Sequence, residues 1–211
     1  MKQQFALFYK DRYKELEHVL MHAVSNNDRV LDIGAGDGHF EAILERVRRR
    51  CHITCVENDA LIAESLIRRT KSFRHAVVQV NVEDANKFLR NRSSKKFDVI
   101  FLSSTLHELN TPAHQRAYLD LFFVRVARIL QRGGILIVGD FYYPAYLSNS
   151  EVKRFMALQN KLIGHADARE KFITPDLLVA IAVKKLKCSA YEEFRATDRI
   201  DRRHYIAVFT H

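Results

Sequence analysis

Apolar residues recur along the chain in two alternating rhythms. Short runs rich in branched residues occur at Val30–Ile33, His52–Glu57, His75–Val82, Lys96–Leu102 and Ile135–Asp140. They are too brief for helices and read as buried strands. Between them the spacing changes to that of a helix face: Phe40, Ile43, Leu44 and Val47, then Leu61, Ile62, Leu66 and Ile67, then Ala85 to Leu89. The longest stripe runs over 113–131, with Leu119, Phe122, Phe123, Val126, Ile129 and Leu130 on its buried side. Gln131-Arg132-Gly133-Gly134 is expected to end that helix, with glycine just past the C-terminus. Strands alternating with helices predict an α/β domain with a parallel sheet. Residues 4–25 add an amphipathic helix in front, through Phe5, Phe8, Leu16, Val19, Leu20 and Ala23. Helices over 149–163 and 175–184 follow the fifth strand, and then strands over 187–197 and 203–210. The link Asp198–Arg202 is too short for a parallel crossover, so the last two strands should pair antiparallel.

The first strand runs into a glycine turn, Asp32-Ile33-Gly34-Ala35-Gly36-Asp37-Gly38-His39. Glycines there let the backbone approach a ligand that any Cβ would block. Asp32 is a carboxylate inside an apolar strand and is costly to bury alone. It is expected to accept hydrogen bonds from the loop amides or from a cationic ligand. A dinucleotide fingerprint, G-x-G-x-x-G/A, needs a small residue where this chain has His39. The third glycine comes one residue early, at Gly38. Glu57 closes the second strand about 20 residues past the loop, where an acid accepts from both ribose hydroxyls of adenosine cofactors. Asp59 suits the N-cap of the next helix, and Asp84 that of the one after.

Asp-x-Gly-x-Gly-x-Gly resembles the motif of Rossmann-like (class I) methyltransferases that use S-adenosylmethionine (SAM). The segment Ser103-Ser104-Thr105-Leu106-His107-Glu108-Leu109 looks like the post-strand segment of their small-molecule and quinone-type members. The resemblance implies a three-layer Rossmann-like sandwich whose seven-stranded, mostly parallel sheet has an antiparallel last strand. It implies one methyltransferase domain over 1–211, with residues 1–28 as a helical segment lying over the cofactor site and 29–211 as the α/β core. Gly34, Ala35, Gly36 and Gly38 would pass around the amino-acid part of SAM, with Asp32 behind them and Glu57 and Asn58 at the ribose. Asn81 and Val82 would recognise the adenine, with Glu83 and Asp84 as the alternatives if the register slips. Leu102 and Ser103 would border the sulfonium. His107 is the candidate base, since a neutral imidazole takes a proton from a hydroxyl; capping or packing is its competing role. S-adenosyl-L-homocysteine would be the product, and the chemistry requires no metal.

The net charge of +9 invites a nucleic-acid reading. However, Arg48-Arg49-Arg50, Arg68-Arg69 and Lys95-Lys96 follow helical stretches, where cations answer the helix dipole. Those ends face away from the ligand crevice of an open α/β sheet. Arg195, Arg199, Arg202 and Arg203 are the exception, the last three at the tip of the last hairpin. The chain also lacks Asn-Pro-Pro-Tyr, Asp-Pro-Pro-Tyr and a Pro-Cys nucleophile, motifs of base-modifying relatives. Phe141-Tyr142-Tyr143-Pro144-Ala145-Tyr146 follows the fifth strand and favours a small, partly apolar or aromatic acceptor. An RNA or protein acceptor, or a SAM-binding role without activity, are the alternatives. Three cysteines without metal spacing read as reduced thiols of a cytoplasmic protein. No apolar stretch is long enough to span a membrane, and the N-terminus lacks a signal-peptide pattern.

Overall fold

One sheet carries the chain: β1 (Arg29–Ile33), β2 (His52–Glu57), β3 (Val77–Val82), β4 (Phe97–Ser103), β5 (Leu130–Phe141), β6 (Ala190–Arg195) and β7 (His204–Thr210). In this computed structural model, which describes residues 10–91, 96–110, 114–163, 169–195 and 204–211, the strand order is β3-β2-β1-β4-β5-β7-β6. Neighbours from β3 to β5 pair in parallel. β7 runs antiparallel to both β5 and β6, as the short final link predicts. The helices are α1 (Lys10–Ala23), α2 (His39–Arg46), α3 (Ala60–Thr70), α4 (Ala85–Asn91), α5 (Leu106–Leu109), α6 (Gln115–Ile129), α7 (Asn149–Ile163) and α8 (Pro175–Leu186).

The central strands read as unbroken apolar runs because both of their faces are buried. On β4, Ile100 and Leu102 enter one core with α4, α6 and α8. The intervening Val99 and Phe101 enter the other core, with Leu16, Val19 and Leu20 of α1 and the apolar face of α2. The period of two along a strand thus produces the three layers. α1 is fastened to this second layer by an ion pair between Glu17 and Arg46, and Arg49 Nη2 donates to the Met21 carbonyl at 2.7 Å. Phe5 and Phe8, and the hairpin arginines Arg199, Arg202 and Arg203, lie outside the described residues. Among the described residues, no helix is long and apolar enough to cross a membrane. The three cysteines are unpaired, with Cys51 and Cys55 buried.

The junction of α6 and β5 differs from the expected glycine cap. α6 stops at Ile129, its C-cap Leu130 is extended (φ −78°, ψ 136°), and the chain passes straight into β5. Pairing with β4 then jumps from Phe97↔Leu130 to Val99↔Ile135, so Gln131–Gly134 forms a bulge. Its glycines are needed for two separate reasons. Gly133 has φ +76°, and a Cβ on Gly134 would lie 2.8 Å from the Gln131 carbonyl oxygen and 2.9 Å from that of Asp98.

Candidate active site

A cleft of about 340 Å³ opens where β1, β2 and β4 end. Gly34–Asp37 form one wall, Val56–Asn58 and Glu83–Ala85 the floor, and Ser103–Thr105 with Glu108 and Leu109 the far side. The loop is shaped by its glycines, all at positive φ (73°, 58° and 85° at Gly34, Gly36 and Gly38). At Gly34 an added Cβ would sit 2.3 Å from Thr105 Oγ1, whereas at Gly36 it would meet nothing within 4 Å. Gly34 therefore permits close packing inside the protein, and Gly36 presents bare backbone to the cleft. Gly34→Ala should destabilise the fold by about 2–4 kcal/mol, combining the left-handed backbone with the clash. Urea unfolding reads this directly, and an unchanged midpoint would mean that Thr105 moves aside at no cost.

Glu57 is buried at the cleft floor with one backbone amide on each oxygen: Gly36 N–H donates to Oε2 at 2.9 Å and Asp59 N–H to Oε1 at 3.0 Å. This fixes the carboxylate and ties the loop to β2, leaving its other lone pairs for a ligand. Asp59 caps α3, accepting from Leu61 and Ile62 amides at 2.8 and 3.1 Å. Ala35, Asn58 and Ser103 line the cleft as expected positions would, while Leu102 lies wholly in the core. Gly38 sits behind the loop as the N-cap of α2. Asn81 Nδ2 donates to the Cys55 carbonyl at 3.2 Å, and Val82 is 53% exposed at the sheet edge. Neither lines the cleft; Glu83 and Asp84 do. Asp84 is a cap as well, accepting from Lys87 N–H at 2.9 Å.

Asp32 lies under the loop but takes no hydrogen bond from its amides, and neither oxygen has a donor among the described residues. Burial, and then the adjacent Glu41 and Glu57, push its carboxyl well above the ordinary carboxylate range. Glu41 escaped notice in the sequence, although it stands one residue from Phe40 on a helix whose neighbouring face is apolar.

His107 is only 4% exposed and does not line the cleft. Its Nδ1 lies 2.8 Å from Asp140 Oδ1, and its backbone N–H donates to Asp140 Oδ2 at 3.1 Å. Its Nε2 is 3.4 Å from Glu108 Oε1, and Lys171 Nζ is 3.3 Å from Glu108 Oε2. Burial alone would lower the imidazole pKa, but Asp140 and Glu108 outweigh it and push it up to about 10. Glu108 is correspondingly held down, to about 2, chiefly by its bond to His107. Glu108 is the member of this chain that reaches the cleft. Of the aromatic stretch, Phe141 closes β5 and, with Tyr143, turns inward to cluster with Val152 and Phe172, whereas Tyr146 is exposed.

A family model described as "Methyltransferase domain" matches residues 24–194. The chain belongs to that family. The methyltransferase fold recurs in a SAM-dependent methyltransferase from Methanosarcina mazei (TM-score 0.62, 15% identity, covering 91% of this chain and 96% of that one). It recurs also in the N-methyltransferase NodS from Bradyrhizobium japonicum (TM-score 0.60, 18% identity, 96% of each chain). A third relative is a Haemonchus contortus phosphoethanolamine N-methyltransferase bound to phosphomonomethylethanolamine and S-adenosylhomocysteine (TM-score 0.67, 16% identity, 94% of this chain and 52% of that one). In sequence, 138 residues are 32% identical to polyamine aminopropyltransferases of Mycobacterium tuberculosis and Mycobacterium bovis. That match takes in 61% of this chain, which spans about a quarter (26%) of the length of those relatives. The chain thus carries a methyltransferase domain, and its cleft presents a ligand with the amide-held Glu57 and the bare Gly36 backbone, over the orphaned oxygens of Asp32.

Proposed function

We propose that this methyltransferase passes the methyl group of SAM directly to a small acceptor that is neutral or cationic. The observation that carries this is the charge of the cleft. The chain is +9, yet Asp37, Glu57, Glu83, Asp84 and Glu108 line the cleft beside a single histidine, His39, with no lysine or arginine among the described lining residues. A low-dielectric cleft focuses that field and repels phosphate-bearing polymers. Ala35, Phe40, Val56, Ala85 and Leu109 give the lining its apolar part, as small-molecule pockets require. The local likeness to polyamine aminopropyltransferases and the fold shared with N-methyltransferases are in keeping with a cationic or amine-bearing acceptor.

In this reading Glu57 holds the ribose, Asn58 flanks it, and Glu83 or Asp84 meets the adenine edge. Gly34, Ala35 and Gly36 carry the backbone around the amino-acid part, over Asp32. Bound SAM supplies an electrophilic methyl group on a sulfonium. Ser103, Ser104 and Glu108 border the space for the acceptor. His107 and Lys171 hold Glu108 ionised, which suits it to anchor and orient an acceptor by charge or hydrogen bonding. His107 acts through Glu108 as a positioning residue.

Thermal unfolding with SAM, S-adenosylhomocysteine and NAD in parallel tests the cofactor. A ligand at 100 times its dissociation constant should stabilise the fold by about 2.7 kcal/mol. A rise with the first two and none with NAD is expected. Transfer of labelled methyl groups to amines, phenols and RNA then tests the acceptor. Labelling of RNA that falls steeply with salt would overturn the small-molecule reading.

A further inference from the structure

Asp32 on β1 and Glu41 in the first turn of α2 are 2% and 1% exposed, and their carboxyl groups meet beneath the glycine loop. Both oxygens of Asp32 and Oε2 of Glu41 lack a donor among the described residues; Glu41 Oε1 accepts the Cys55 thiol at 3.0 Å. The charged and titratable groups around the pair do not compensate it. From β2 come Cys55 and Glu57, and Glu57 already holds two amides. From the loop and α2 come Asp37 and His39; from α3 comes Arg69, which is engaged by Asp37 at 2.9 Å. Among the described residues no lysine or arginine forms an ion pair with either carboxyl. Two buried carboxylates in contact without a cation cannot both ionise, because desolvation and mutual repulsion oppose it together. A proton held between them gives one orphaned oxygen of each carboxyl a partner and titrates as a property of the pair.

We infer that Glu41 is a positioning residue that holds Asp32 for the cofactor through this shared proton, and that the pair releases it when the ammonium of SAM docks on the loop. The inference rests on the SAM reading of the cleft. The proton leaves to solvent, no covalent bond changes, and the arriving ammonium supplies the positive charge that lets both carboxyls ionise. In the free enzyme the shared proton limits the pair to one buried negative charge; in the complex the pair carries two, one of them answered by the ammonium.

Calorimetric titration with S-adenosylhomocysteine, which keeps the ammonium, tests this in buffers of differing ionisation enthalpy. The range is about pH 5.5 to 7, below the titration of a free α-amino group. The wild-type enzyme should release about one proton per ligand, and its Kd should tighten by up to tenfold per pH unit. In Glu41→Gln the side-chain amide donates to Asp32 with no shared proton, so release should fall towards zero and the Kd should lose that slope. Titration of His39 is common to both proteins and cancels in the difference. Difference infrared spectra of the unmutated enzyme read the same event without a variant, as loss of a protonated-carboxyl band on ligand addition. Binding by the wild type with no proton released and no band lost would overturn the inference, as would an unchanged slope in Glu41→Gln. If the wild-type enzyme bound neither S-adenosylhomocysteine nor SAM, the cofactor reading itself would fall, and this inference with it.

Discussion

Asp140→Ala is expected to lower the folding free energy by about 3–5 kcal/mol, the cost of removing one partner from a buried charge pair. Asp140 and His107 are both nearly inaccessible to water, and Asp140 accepts from the His107 ring, its backbone amide and the Phe141 amide. The same pair sets a pH dependence with a definite sign. An imidazole held at about 10, against about 6.5 when unfolded, contributes stability that is fully present below about pH 6.5. That contribution is lost as pH rises towards 10. Wild-type stability should therefore decline on the alkaline side, and Asp140→Asn should flatten the decline. Urea melts of both proteins at a series of pH values give the difference curve, in which lysine, tyrosine and cysteine titrations common to both cancel. Parallel curves would separate His107 from Asp140.

Glu57→Ala should weaken SAM binding by about 1.5–3 kcal/mol, roughly tenfold to a hundredfold in Kd, because a charged acceptor of paired hydroxyl hydrogen bonds is lost. The variant also releases the Gly36 and Asp59 amides from their acceptor, so the loop loses its tie to β2. Glu57→Gln separates the two effects. Its amide keeps one oxygen and a similar shape, and so should preserve more of the thermal stability than of the affinity. Equilibrium dialysis with SAM, alongside melting of the free proteins, gives both readings. Unchanged affinity in Glu57→Ala would take this residue out of the site.

What the sequence made legible was what depends on near neighbours. The β1 strand and its glycine turn, Glu57 at the end of β2, the Asp59 cap and the reversed β7 all rest on spacing within one or two elements. The α6–β5 junction misled because a helix-capping glycine and a bulge glycine ask for the same positive φ, which Gly133 supplies. The end of β3 was ambiguous by two or three residues: the strand runs to Val82 before the chain turns, so Glu83 and Asp84 line the cleft in place of Asn81 and Val82. Long-range pairs were out of reach. Nothing local in Leu106-His107-Glu108 points to Asp140, and nothing in β1 says that Glu41 of the next helix turns its carboxyl towards Asp32.

The cysteines give this protein internal clocks for its own motions. Cys55 is sealed between β1 and the Glu41 carboxyl, and its thiol is pushed far up by burial and by Glu41 and Asp32. Cys51, at the other end of β2, is buried with its thiol raised to about 11, while Cys188 is half-buried beyond α8. An alkylating reagent can reach the first two only through opening of the structure around β2. The modification rate of Cys55 thus times the breathing of the cofactor half, with Cys188 as the reporter on the opposite edge. A ligand that settles on the glycine loop should slow the first reaction and leave the second untouched.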